Sequence, residues 1–421
     1  LSGALPALDG SALTGVASTE NIRTNTNATF LQNINVSGIT TVGSAVTISE
    51  SGIEASGIGI TVANINGGAI SGRRNMIING DQRIAQRGTD GGTVTSSAKV
   101  RCVDRFKSDI DGSGGGDWSH EQSTDVPTGQ GFTHSSKITT VTQASQPSGT
   151  SAKNQFYYML EKQDVTHLEW GTSAAKTCTL SFWVKSSITG SYPLIFYIYT
   201  PSTQYYYTNY TISSANTWEK KVITLTGPTS GGVVSGTTAT GWRVEFGLGY
   251  GSGFETGTLN EWTTSSVFRT AAGSVYLPEN SGATWYLTGV QYEVGSQASA
   301  YEHRSFAEEL ALCQRYYYKH VDGNNQDIAV GMMYNTSLCA FSVKFPVAMR
   351  AAPTLDYVSS TDAYTIYRNG ASDAFTSMSI VRAHTNTAAI DTSTGTSGNE
   401  GVGTILATAT SSGYIAFSSE L

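Results

Sequence analysis

The chain has 421 residues, with 25 Lys and Arg against 32 Asp and Glu, a formal net charge of −7, and only 14% charged residues. That is too little charge for a chain disordered throughout and the wrong sign for neutralising nucleic-acid phosphates, so no nucleic-acid partner is expected. No run of about 18 apolar residues offers a membrane-spanning helix, and 46 Gly and 22 Tyr among abundant Ser and Thr favour an all-β chain of short strands and tight turns.

Residues 1–73 contain a single aromatic residue, Phe30. From Ile34 onward small polar residues separate single aliphatics, among them Ile34, Val36, Ile39, Val46, Ile48, Ile58, Ile60 and Val62, and Ser-Gly-Ile recurs at 37–39, 51–53 and 56–58. One such strand cannot bury enough surface to fold alone. With no partner evident in its own chain, the segment is read as a slender intertwined β shaft of a homotrimer, those eight aliphatics lining the axis. A disordered linker is the alternative, and the regular spacing of the aliphatics argues against it.

Residues 74–304 read as an antiparallel jelly-roll sandwich. Leu180, Phe182 and Val184 alternate on one face of 179–185, residues 242–248 alternate in the same way around Val244 and Phe246, and 194–199 is a continuous β-forming run. Tyr286, Val290, Tyr292 and Val294 are assigned one face of the closing strand. Residues 305–320 hold the connecting helix: Ser305 and Glu308 stand at capping-box spacing, and Phe306, Leu310, Cys313 and Tyr317 form its apolar face, placed between two β bodies. Residues 321–421 form a small C-terminal β-sandwich, a tip domain with strands at 327–334, 337–345, 354–358, 363–368, 375–382, 404–409 and 413–418. Arg368-Asn369-Gly370 is a hairpin turn, and 385–403 is a long polar loop.

Chemical motifs are scarce. There is no G-x-S-x-G, H-E-x-x-H or P-loop, and six His give little material for acid–base work. Cys102, Cys178, Cys313 and Cys339 share no metal-binding spacing and read as small core residues. Asp109-x-Asp111-x-Ser113-Gly114 matches a calcium loop only in part, since His120 stands where the closing Glu belongs. No catalytic residue, metal or cofactor is expected. Aromatic residues near turns are the better lead, because sugars stack their C–H faces on aromatic rings. Trp118, Tyr205, Tyr207 and Trp262 are the candidate glycan-binding residues, with Tyr205 and Tyr207 two apart on one strand face.

Several stretches together resemble one family. Leu5-Pro6-Ala7-Leu8-Asp9-Gly10-Ser11-Ala12-Leu13-Thr14-Gly15 is similar to a segment of bacteriophage tail fibres. Asn75-Met76-Ile77-Ile78-Asn79-Gly80-Asp81 with Gln86-Arg87-Gly88, then Val103-Asp104-Arg105-Phe106, resemble the opening of their C-terminal jelly roll. Leu287-Thr288-Gly289-Val290-Gln291-Tyr292-Glu293-Val294-Gly295, Cys313-Gln314-Arg315-Tyr316-Tyr317 and the closing Gly413-Tyr414-Ile415-Ala416-Phe417-Ser418-Ser419-Glu420-Leu421 fit the same pattern. The chain thus resembles the receptor-binding, C-terminal region of a tail fibre of a tailed bacteriophage, in the style of marine and cyanobacterial phage fibres. The first motif departs where Gln82 and Ala85 replace the aromatic and the Trp common there. The resemblance implies a homotrimer on the virion, outside the host cell, joined to other tail proteins through a part preceding Leu1. It also implies attachment to host surface polysaccharide or lipopolysaccharide without chemistry. A tail-spike enzyme degrading that polysaccharide and a purely structural fibre are the competing readings. An enzyme needs paired carboxylates along a groove, and no such pair is evident.

Overall fold

The computed structural model describes residues 73–421, apart from 96–98, 113, 151, 200–201, 232–233, 235, 256 and 393–394, together with the backbone of two short strands, Val46–Ser49 and Gly52–Ala55. These two strands pair antiparallel with each other, Ile48 opposite Ile53. The expectation that the aliphatic run has no partner in its own chain is therefore corrected at this place. Ile34, Val36, Ile39, Ile58, Ile60 and Val62 lie outside the described residues, as do the side chains of Val46 and Ile48.

The chain is all-β, as expected. Its first body is a sandwich of two antiparallel sheets. One sheet has the order Trp262–Thr263, Gln204–Ile212, Gly190–Ile198, Thr240–Tyr250, Ala152–Glu161, Phe106–Gly112, Lys99–Val100; the other runs Glu219–Thr226, Thr177–Ser186, Thr284–Val294, Ser135–Thr142, Asp117–Ser123, Asp90–Val94. Period-two patterning decides which side chains meet between them. Leu180, Phe182 and Val184 face Trp242, Val244, Phe246 and Leu248, all fully buried, and the Trp242 ring stacks on Tyr292 at 4.5 Å. The four cysteines are buried and unpaired, and burial raises the thiol pKa of each.

The closing strand departs from strict alternation. Thr288 pairs with Trp183, yet Gln291 pairs with Ser181, so one extra residue is inserted. Gly289 takes a positive φ of 61° at this bulge. The phase slips by one, so Trp285 and Leu287 share the core with Val290 and Tyr292, while Tyr286 lies half-buried beside Lys185 on the opposite face. The assignment of Tyr286 to the core face is thereby corrected.

The helix starts as read, Ser305 Oγ accepting from the Glu308 N–H at 3.2 Å, but it spans Phe306–Gln314 and ends well before residue 320. Tyr317–Asp322 is instead a strand paired with Tyr414–Ser418. Adjacent tyrosines favour a pleated surface, and the partner strand lies about a hundred residues away, where local helical spacing gives no hint of it. Phe306 is exposed, with Arg83 over its ring; Glu309 and Cys313 are buried and Leu310 is half-buried. The helix packs Cys313, Leu310 and Leu312 onto the first core.

The second body lays a three-stranded sheet (Tyr317–Asp322, Tyr414–Ser418, Thr354–Tyr357) against a seven-stranded one. The latter has the order Ala371–Phe375, Tyr364–Arg368, Gly403–Thr408, Asp327–Asn335, Leu338–Lys344, Thr387–Thr392, Met378–Ala383. Ile415 and Phe417 meet Phe341, Ile366, Ile390 and Leu406 in a core of their own. The hairpin turn is present: Asn369 and Gly370 have φ of 38° and 78°, joining Tyr364–Arg368 to Ala371–Phe375. The expected loop at 385–403 contains the strand Thr387–Thr392, whose alternation of Ala388, Ile390 and Thr392 inward is masked by small side chains.

Charged side chains join the two bodies. Glu420, just past the last strand, inserts its carboxylate among Arg87, Arg101 and Arg105 at 3.4, 3.9 and 2.9 Å. Arg105 stacks on Tyr316 and Arg87 on Tyr317, each at 3.4 Å. Arg315 grips buried Glu161 through two 2.9 Å hydrogen bonds, and the Tyr316 hydroxyl donates to the same carboxylate. Asp104 is buried nearby. Burial pushes its pKa up to about 6, against the opposing pull of Arg87 and Gln86. A carboxyl raised in the fold adds stability that is full below its unfolded pKa of about 3.9 and is lost as pH rises through about 6. Melting temperature should therefore fall across that window, and Asp104→Asn should flatten the slope. An equally steep profile in the variant would assign the titration to another group.

Candidate functional site

The outer face of the first body's seven-stranded sheet gathers tyrosines and arginines in register. Strand alternation turns Ile195, Tyr197 and Tyr199, then Tyr205 and Tyr207, then Arg243 and Glu245, away from the sandwich core. Antiparallel pairing sets Tyr205 opposite Tyr197 and Tyr197 opposite Arg243, with Tyr207, Ile195, Glu245 and Tyr157 in the adjoining row. The Tyr205 and Tyr207 rings stack at 5.9 Å with 5° between planes, and Tyr197 and Tyr199 at 6.3 Å with 11°. Phe254, Leu259 and Phe268 pack over one end of this face around Tyr207 and Tyr250.

Two guanidinium groups sit among the rings. Arg243 lies over Tyr157 at 3.7 Å and Tyr197 at 4.9 Å and donates to Gln155 at 2.9 Å; Arg269 lies over Tyr197 at 5.2 Å and Tyr205 at 6.0 Å. Both pair with the fully buried Glu245, which also accepts from the hydroxyls of Tyr197 and Tyr250. One carboxylate thus faces two guanidinium groups. Burial brings the Arg269 pKa down to about 10, whereas for Arg243 burial also acts downward but Glu245 and the surrounding tyrosines turn the net shift upward. The Nε of Arg243 and the Nε and Nη1 of Arg269 are buried without a hydrogen-bond acceptor. Burial raises the hydroxyl pKa of Tyr199 and Tyr205, so both remain neutral phenols at physiological pH. The face therefore presents neutral phenol rings at its border, with the guanidinium groups buried among them.

Of the four candidate residues, the structure brings together two. Tyr205 is half-buried at the border of this face, whereas Tyr207 on the same face is fully buried, its hydroxyl donating to the Ser265 carbonyl at 2.7 Å. Trp118 is corrected to a core residue, 1% exposed, because its strand turns that position inward between the sheets. Trp262 lies at the sheet edge on the opposite side, against Tyr206 and Trp170, its indole N–H donating to the Thr226 carbonyl. Arg243, Tyr197 and Tyr199 were missed, although the polar half of the alternation in Trp242-Arg243-Val244-Glu245 was a readable signal. Arg269 lies outside any strand and gives no sequence signal. Asp109 and Asp111 of the partial calcium pattern sit on the strand Phe106–Gly112, Asp109 taking a hydrogen bond from Gln155 and Asp111 pairing with Lys153. Among the described residues no group of three or more His, Cys, Asp or Glu is placed to hold a metal ion.

No protein-family model matches the chain, and no curated protein does. Among solved structures, the tailspike protein 4 enzymatically active domain of bacteriophage CBA120 is similar at 12% identity and TM-score 0.28; the match covers 52% of this chain but only 21% of that one. The Clostridium thermocellum family 11 carbohydrate-binding module in complex with a beta-1,3-1,4-mixed-linked tetrasaccharide matches at 12% identity and TM-score 0.23, covering 46% and 91%. The CBM22-1 xylan-binding domain from Paenibacillus barcinonensis matches at 9% and 0.24, covering 50% and 97%. Similarities this weak carry no argument about what the chain binds or does.

Proposed function

We propose that this chain is the receptor-binding part of a phage tail fibre and that it holds a host surface glycan, without chemistry, on the face bordered by Tyr199, Tyr205, Arg243 and Arg269. The observation that supports glycan binding is the row of parallel tyrosine rings on one sheet face, with Tyr199 and Tyr205 partly exposed at its border. Sugars stack their C–H faces on such rings, and the two guanidinium groups paired with Glu245 hold the rings in fixed positions beforehand. The fibre setting, the homotrimer and the virion location rest on the resemblance of the sequence motifs. A non-enzymatic role is supported by the use of Glu245: this buried carboxylate is engaged by two arginines and two tyrosine hydroxyls, which suits a fixed counter-charge better than a proton shuttle.

Host polysaccharide titrated into the full chain should bind, and Tyr199→Ala with Tyr205→Ala should weaken it by about five- to 150-fold, since each stacked ring is worth roughly 0.5–1.5 kcal/mol. Trp262→Ala should leave the affinity unchanged. Reducing ends should not accumulate during the incubation. Full affinity in the tyrosine variant, with the fold retained, would move the site elsewhere; released reducing ends would establish the enzymatic reading.

A further inference from the structure

The tyrosine row of the first body leads into a cationic end. Tyr197 stands opposite Tyr205, Arg243 opposite Tyr197 and Met159 opposite Arg243; Lys107 stands opposite Tyr157 in the adjoining row. Tyr205, Arg243, Met159 and Lys107 are half-buried, whereas Tyr157 and Tyr197 between them are buried. The partly exposed residues therefore trace one line across five strands, from phenol ring to ammonium group. Four strand intervals of about 4.8 Å make that line about 19 Å long, more than one sugar ring can span. A chain of sugars stacked at the tyrosine end would reach the cations at the other.

Charge at that end runs against the charge of the whole. Arg101, Lys107, Tyr157 and Glu420 meet there, and Lys107 lies over the Tyr157 ring at 5.4 Å, beside Arg243 at 3.7 Å. Glu245 answers two guanidinium groups and Glu420 answers three. With Lys107 added and the buried Asp104 and Asp109 set against it, an excess of two positive side-chain charges remains; Lys153 and Asp111 cancel as a pair. The carboxylates are also the deeper partners. The side chains of Glu245 and Glu420 are 0% and 5% exposed, against 12%, 11% and 19% for Arg243, Arg269 and Arg101. Charges nearer the surface weigh more in the potential outside it, so this face is positive on a chain of net charge −7. A neutral sugar gains nothing from that potential. A carboxylate is drawn by it, and guanidinium and ammonium groups are the donors that suit a carboxylate.

We infer that the glycan is acidic: a polysaccharide whose sugars carry carboxylates, with sugar rings on Tyr199 and Tyr205 and a carboxylate beside Arg243 and Lys107. The inference rests on the glycan site proposed above and adds the class of sugar. The full 421-residue chain is titrated with native host surface polysaccharide and with the same polymer after its carboxylates are reduced to alcohols. Reduction should weaken binding about tenfold or more, as should raising the salt from about 0.05 to about 0.5 M with the native polymer, while the reduced polymer should bind alike at both salts. Lys107→Gln, with an unchanged circular dichroism spectrum, should weaken binding of the native polymer about three- to tenfold and leave the reduced one unaffected. Equal affinity for the two polymers, with binding still weakened in the Tyr199→Ala, Tyr205→Ala variant, would overturn the acidic ligand and leave the glycan site standing. Full affinity for the native polymer in that tyrosine variant would overturn the site, and this inference with it. Binding of a host polysaccharide that contains no carboxylate would likewise overturn the acidic ligand.

Discussion

Replacing Glu420 with alanine should destabilise the protein by about 3–5 kcal/mol, the range for removing one partner of a buried ion pair. The carboxylate is 5% exposed and serves three guanidinium groups at once. Without it, Arg87, Arg101 and Arg105 repel one another across an interior that water cannot readily enter. Burial alone would raise the Glu420 pKa; the three positive charges outweigh it and hold the carboxyl below the usual range. A carboxyl depressed in the fold adds stability that is present above its unfolded pKa and is lost as pH falls through the folded one. Denaturant unfolding near neutral pH should show the full loss in Glu420→Ala, and the difference from the parent should shrink in strong acid. A loss of less than about 1 kcal/mol at neutral pH would mean that water solvates the arginines and that the tail is not what joins the bodies.

Gly289→Ala should cost about 2–5 kcal/mol, from two additive sources. A left-handed backbone costs a residue with a Cβ roughly 1–2 kcal/mol, and Gly289 has φ +61°. The new methyl would also stand 2.5 Å from the Phe132 ring, which is buried, so that overpacking adds roughly 1–3 kcal/mol. Combining Gly289→Ala with Phe132→Leu should recover part of the loss by vacating that space. If the double variant is destabilised by the plain sum of the single changes, the contact with Phe132 is not the source, and the backbone accounts for the whole cost.

Much of the sheet framework was legible in the chain itself. Leu180, Phe182 and Val184 could be assigned inward because a strand has no other way to present alternate residues. The same rule applied to Trp242, Val244 and Phe246. Asn369-Gly370 announced its hairpin because few residues accept two successive positive φ values. Ser305 with Glu308 marked a helix start because the cap is made within four residues. Each of these features is local: the atoms that decide it are neighbours in sequence.

What could not be read depends on atoms far apart in sequence. Tyr286 was misassigned because a single inserted residue at Gly289 reverses the face of everything before it, and only pairing with Thr177–Ser186 shows the insertion. Tyr317 left the helix because Tyr414–Ser418 offered backbone hydrogen bonds about a hundred residues away. Trp118 looked like a turn aromatic, yet it is buried in a core shared with strands as distant as Thr284–Val294. The candidate site shows the same division. Composition and alternation determined that this is a β chain with outward tyrosines, because side-chain period and backbone propensity act residue by residue. The tertiary structure alone decided which of them share a face with Arg243 and Arg269, and that Glu245 is left balancing both. Charges buried by folding interact across strands that the sequence separates.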